Sequence, residues 1–135
     1  MSRVTVDEFR KLFVATVLKG RGYPRKRRGQ QIILLSVISL LDKDEAYTEK
    51  EMNTLLSSWV EKYGEELSMD HVALRRALID EKLVNRDNAG TVYVLNSAHF
   101  PIEMDGAILN LDLDQLIREE LADQARRKEQ YQKPD

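Results

Sequence analysis

The side chains able to do chemistry in this chain are basic and clustered, and the chemistry they suit is anion recognition. Arg21, Arg25, Lys26, Arg27 and Arg28 crowd one short stretch. Groups at that density grip phosphate or carboxylate oxygens, Arg through a two-pronged fork and Lys as a point charge. Further on, His71 and Arg76 fall on one segment and Arg86 and Asn88 on the next. Polar side chains of these types reach phosphates and base edges in protein–DNA contacts. Other chemistries lack their parts. The two histidines, His71 and His99, stand at no metal-pair spacing, and there is no cysteine. Gly20-Arg21-Gly22 has neither the later glycine of a dinucleotide fingerprint nor the Gly-Lys-Ser/Thr ending of a phosphate-binding loop. There is no serine elbow, and no pair of carboxylates has a reason to be buried together. The chain reads as non-enzymatic, with no catalytic residue, no metal and no cofactor.

The elements that must hold these residues follow from periodicity. Thr48 with Glu51 forms a capping box, and Met52, Leu55, Leu56, Trp59 and Val60 make one apolar stripe behind it, so a helix runs to Gly64. Asp70 caps a second helix through Asp80, with Leu74, Ala77 and Leu78 on one side and Ala73, Arg76 and Asp80 opposite. Lys82–Arg86 is extended, Asp87-Asn88-Ala89-Gly90 is a turn, and Thr91–Leu95 is a returning strand. Helix, turn, helix and hairpin in this order predict a winged helix-turn-helix. His71–Asp80 is then the recognition helix and the hairpin its wing.

Helices flank that core. Thr5 and Glu8 start one that runs to about Lys19 with Val6, Phe9, Leu12, Phe13 and Val17 inward, and Gly20 ends it. Pro24 suits the first turn of the next helix, which is apolar all round from Ile32 to Leu41 and so is the central helix of the core. Its Ser36 and Ser39 read as back-bonded to the helix. Asp42–Glu45 reads as a solvated loop. Asp105-Gly106 is a tight-turn pair from which Phe100, Ile102, Met104, Leu109 and Leu111 form a small hairpin. A last helix runs from Asp112 or Asp114 to about Gln130, with Leu113, Leu116, Ile117, Leu121 and Ala125 as a stripe that packs on its own core or on a second copy. The expected fold is mainly α with a small β-hairpin wing, a winged helix-turn-helix with additional N- and C-terminal helices. Residues 1–135 form a single domain: N-terminal helix 1–20, winged-helix core 21–95 and C-terminal extension 96–135.

Tyr47-Thr48-Glu49-Lys50-Glu51-Met52-Asn53, then Leu74-Arg75-Arg76 with Leu78-Ile79-Asp80, then Leu83, Arg86, Gly90 and Tyr93 resemble the bacterial domain of unknown function 2087. The basic lead-in Pro24–Arg28 belongs to the same pattern, so the resemblance covers about residues 21–95. It implies a transcription-associated, nucleic-acid-binding role and carries no activity with it.

Composition sets the bounds. The length of 135 residues suffices for a core without staples, and the absence of cysteine suits a reducing, cytoplasmic setting. The longest apolar run, Ile32–Leu41, is about half a membrane span, so a soluble protein with no membrane partner is expected. Net charge is −2, yet residues 1–28 carry nine basic against two acidic side chains. A basic lead-in on an acidic body marks one polyanion-facing or acid-facing surface.

Two functional readings lead. In the first, the chain is a DNA-binding or transcription-associated regulator on double-stranded DNA, a homodimer through its terminal helices. Arg21, Arg25, Lys26, Arg27 and Arg28 position phosphates, while His71 and Arg76 with the wing residues Arg86 and Asn88 read the duplex. In the second, the same helices dock an acidic protein partner and no nucleic acid binds. The charges of Glu65, Glu66, Asp70, Asp80 and Glu81 favour it by repelling phosphate. The plain structural readings stand beside both. A five-charge run can be a solubilising surface, and Arg76 and Asp80 are spaced to neutralise each other. Arg75 reads as a partner of Glu49 or Glu51 between the two helices, and Asn53 as a surface amide.

Overall fold

The computed structural model describes residues 3–132, which form five α-helices and three short strands. Helix α1, Val6–Lys19, begins where the Thr5 hydroxyl accepts the Glu8 N–H at 3.1 Å. Glu8 does not return the hydrogen bond to the Thr5 backbone as a capping box would, because its carboxylate turns to Arg28 instead. Gly20 caps the other end, its N–H on the Thr16 carbonyl.

Helix α2, Arg27–Ile38, is the central helix, with every residue from Gln31 to Ile38 buried. It starts later than Pro24 implies. Pro24 lies in the preceding loop, packs against Gly29 and lends its carbonyl to the Gln30 amide at 2.8 Å. The helix also stops three residues short of Leu41. The Ser36 and Ser39 hydroxyls do donate back to carbonyls three residues earlier, both at 2.6 Å.

The unexpected element is strand β1, Ala46–Thr48. It leads directly into helix α3, Glu49–Tyr63, whose Thr48–Glu51 capping box is complete. Gly64 ends α3 and a 3-10 turn over Glu65–Leu67 follows, seating Leu67 in the core. Helix α4, His71–Asp80, opens with the Asp70 carboxylate accepting the Ala73 N–H at 2.8 Å. Strands β2, Val84–Arg86, and β3, Val92–Leu95, close the unit.

The sheet runs β1-β3-β2, antiparallel throughout, with Tyr47 opposite Tyr93 and Tyr93 opposite Arg86. The order α2, β1, α3, α4, β2, β3 is that of a winged helix. The wing is therefore the outer part of a three-stranded sheet rather than a free hairpin, with β3 held on both sides. This is favourable, since a lone two-stranded hairpin is marginal in water.

One apolar cluster extends from Val4 to Leu116, centred on Phe9, Phe13, the apolar residues of α2, Trp59 and Tyr93. Trp59 donates to the Ser36 hydroxyl at 3.1 Å, a hydrogen bond buried between α3 and α2.

The hairpin expected between Phe100 and Leu111 does not form. Val4 pairs with Met104 in an isolated parallel bridge, and Asp105 caps a 3-10 turn over Gly106–Asn110 that buries Ile108. The N-terminal segment supplies the partner that a second strand of the hairpin would have been. Helix α5, Leu113–Gln132, then packs on α1, and the Tyr63 hydroxyl donates to Asp114 at its start. No helix among the described residues is long and apolar enough to cross a membrane.

Candidate nucleic-acid interface

The candidate site is built on α4, which packs against α3, α2 and β2 and buries Leu74 and Leu78 beneath it. Its opposite side is open: Val72, Arg76 and Asp80 are exposed. The spacing of four residues places these three side chains in a row along the outward face. Among the described residues, the elements that pack substantially on α4 do not include α1 or α5.

Arg75 and Arg76 are neighbours with different fates. The Arg75 guanidinium accepts no freedom from its surroundings. It lies 3.3 Å from the Glu49 carboxylate and donates to Asn53 Oδ1 at 2.5 Å, with its Cζ 6.0 Å from the centre of the Tyr93 ring. It joins α4 to α3 and β3, which is the structural role read from the sequence. Asn53 is accordingly a helix–helix bridge, not a plain surface amide. Arg76 makes no hydrogen bond or ion pair among the described residues, and the pairing with Asp80 that the spacing allows does not form.

The wing supplies the second wall. Its turn is set by Asp87, whose carboxylate accepts the Thr91 and Val92 N–H groups at 2.7 and 3.1 Å and the Thr91 hydroxyl at 2.8 Å. Those hydrogen bonds, Val92's first, hold the Asp87 carboxyl below its usual range. Gly90 takes the left-handed conformation, φ +71°, that closes the turn. Arg86 is thereby presented on β2 with no ion pair among the described residues, and Asn88 is exposed at the turn.

Between helix and wing lies a groove of about 330 Å³ lined by Val72, Arg75, Arg76, Ile79, Asp80 and Arg86. Three arginines from two elements line it. Arg76 and Arg86 were expected at such a site; Val72 and Ile79 were not singled out. Their signal was present in the spacing, since 72, 76 and 79 recur at intervals of four and three on one helical face. His71 is half-buried at the start of α4 and outside the groove lining.

The basic lead-in is a separate feature. Its loop begins beside the turn preceding α4, where the Gly22 N–H bonds to the Glu66 carbonyl at 2.9 Å. It ends where Arg27 meets Glu81 at 3.1 Å. Tyr23 packs in the same loop, its hydroxyl pushed up to about 12 by burial and then by the charge of Glu81. At 100° per residue, Glu81 lies about 140° around α4 from Arg76, so the lead-in attaches behind the open face.

Arg28 is drawn further inward. It grips both oxygens of Glu8 at 3.1 and 2.7 Å and fastens α2 to α1. Of the five cations in the run all but Arg28 remain exposed, and among the described residues no ion pair engages Arg21, Arg25 or Lys26. No group of three or more His, Asp or Glu side chains among the described residues is placed to hold a metal ion.

A family model described as uncharacterized protein conserved in bacteria (DUF2087) matches residues 21–95, which takes in the lead-in, α2 and the whole winged-helix unit. No curated protein and no solved structure matches the chain.

Proposed function

We propose that this chain, which belongs to the DUF2087 family of uncharacterized bacterial proteins, binds double-stranded DNA as a non-enzymatic regulatory module. The observation that carries the reading is the groove between α4 and the wing. Among the described residues Arg76 and Arg86 stand there without hydrogen-bond or ion-pair partners, Arg76 on the exposed face of α4 and Arg86 on the wing.

A helix of α4's diameter fits the major groove, which is about 12 Å wide. In that pose Arg76 addresses base edges, most favourably guanine, and Val72 offers an apolar surface to a thymine methyl. Arg86 and Asn88 on the wing meet the flanking sugar–phosphate backbone, and His71 sits at the leading end of the helix. Arg21, Arg25 and Lys26 add longer-range attraction for phosphate from their own patch. Arg27 and Arg28 serve this role less, because each already holds a carboxylate.

A fluorescence-anisotropy titration of a labelled duplex pool over a salt series tests the reading. Binding should weaken linearly on a log–log scale, with a slope of about −0.9 per phosphate contacted. A flat salt response, or no binding at low salt, refutes it.

A second reading has its own support. Asp80 lies in the groove beside Arg76, and Val72 is 41% exposed there. A mixed apolar and charged lining suits a protein segment with acidic residues as well as a duplex. Capture of an acidic peptide with no duplex binding favours this second reading.

A further inference from the structure

We propose that Asp80 gives the α4 groove its base specificity, its carboxylate accepting a hydrogen bond from the amino group of a cytosine near the guanine that Arg76 addresses. The inference rests on the duplex-binding reading above and adds which bases the groove selects.

On structural grounds the position is a poor one for an acidic side chain. Asp80 is the last residue of α4, where the negative end of the helix dipole disfavours a carboxylate. Arg76 precedes it by four residues, the weaker order for a helical ion pair, and no such pair forms. Among the described residues the exposed Asp80 side chain makes no hydrogen bond or ion pair. The next residue shows the contrast, since Glu81 holds Arg27 at 3.1 Å. Asp80 also lines the groove with Arg75, Arg76 and Arg86, where a carboxylate repels phosphate. A side chain that opposes its helix, lacks a partner and stands in a cationic groove is a departure of the kind that marks functional positions.

The edges of the bases supply the function. In the major groove cytosine presents an amino donor, which a carboxylate accepts, whereas guanine and the thymine carbonyl present acceptors, which repel it. A duplex without cytosine at that point leaves the carboxylate desolvated with no donor, an unfavourable state for a charged group. Asp80 therefore works in both directions, favouring one base and penalising others. Four residues along a helix span about 6 Å, close to two base-pair steps of about 3.4 Å. The favoured duplex thus carries a guanine opposite Arg76 and, about two base pairs further along α4, a cytosine.

Selection from a random duplex pool, run in parallel for the parent chain, Arg76→Ala, Asp80→Ala and Asp80→Asn, tests the assignment. The parent should enrich a guanine and a cytosine about two positions apart, and Arg76→Ala should lose only the guanine. Asp80→Ala should lose the cytosine, and Asp80→Asn should exchange it for adenine, whose edge fits an amide. On the enriched duplex, replacing that cytosine pair by a thymine pair should weaken the parent roughly fivefold or more and leave Asp80→Ala nearly unchanged. A duplex outside the enriched set should bind Asp80→Ala more tightly than the parent, because one repulsive charge is gone. Urea midpoints of both Asp80 variants should match or exceed the parent's; a fall in both makes the residue structural and overturns the proposal. A parent that binds no duplex overturns the duplex reading and this inference with it. A parent that binds without base preference, or an Asp80→Ala variant that enriches the same bases as the parent, overturns this inference alone.

Discussion

Arg75 and Arg76 differ by 100° of helix rotation, and that angle separates structure from function. Arg75 holds Glu49, Asn53 and the Tyr93 ring with only 18% of its side chain exposed. Arg75→Ala should therefore lower unfolding stability by about 1–2 kcal/mol, the range for losing charged hydrogen bonds and a ring contact together. Arg76→Ala should stay within about 0.5 kcal/mol of the parent, as surface changes do. Urea unfolding of both variants checks the contrast, and equal losses would mean that Arg76 is also structural. The Glu8–Arg28 pair adds a pH dependence. Arg28 holds the Glu8 carboxyl below its ordinary value of 4.5 in the folded chain, and unfolding restores it. The pair thus contributes stability above that value and loses it as pH falls through the lower folded one. Glu8→Gln should be less stable at neutral pH and show a shallower acid decline in its urea midpoint below pH 4.5. An unchanged slope would assign the decline to other carboxylates. The spacing of Arg75 and Arg76 was legible in the chain, but the fate of Asn53 was not, because its partner lies 22 residues away.

Elements with a repeating apolar pattern were readable, and those held by distant partners were not. Helices α1, α3 and α4 announce themselves by capping residues and stripes. Strand β1 has three residues, too few for alternation to register, and exists because β3 offers it an edge. The stretch from Asn96 to Leu111 is shaped by Val4 and α2, which no local signal reveals. Contact across elements also sets their stability. The Ser36 hydroxyl joins α2 to α3 by accepting the buried Trp59 N–H. Ser36→Ala leaves that donor without a partner and should cost about 1–3 kcal/mol. Urea unfolding followed by the fluorescence of Trp59, the single tryptophan, measures it directly. No loss of stability would mean that another acceptor replaces Ser36. In the wing, Asp87→Ala removes three hydrogen bonds that fix the turn. The Thr91 and Val92 amides should then exchange faster with solvent, while the amides of α2 keep their protection. Unaltered exchange in the wing would show that Gly90 and the sheet suffice to hold it.

At the scale of the whole molecule, the cations divide between a groove at the front of α4 and a loop behind it. A lead-in of five charges reads in the sequence as one patch, but Glu8 and Glu81 take two of them. Only tertiary structure reveals which carboxylates do so. The groove is what the functional account rests on, since it combines two arginines that are unpaired among the described residues with the exposed face of α4. Its most direct test is duplex affinity measured side by side for the parent chain and for Arg76→Ala, with unfolding midpoints recorded on the same samples. Bidentate base contacts are worth about 1–3 kcal/mol, so Arg76→Ala should weaken binding by roughly tenfold or more at an unchanged midpoint. Equal affinity of parent and variant for the duplex, or no duplex binding by the parent, contradicts the account.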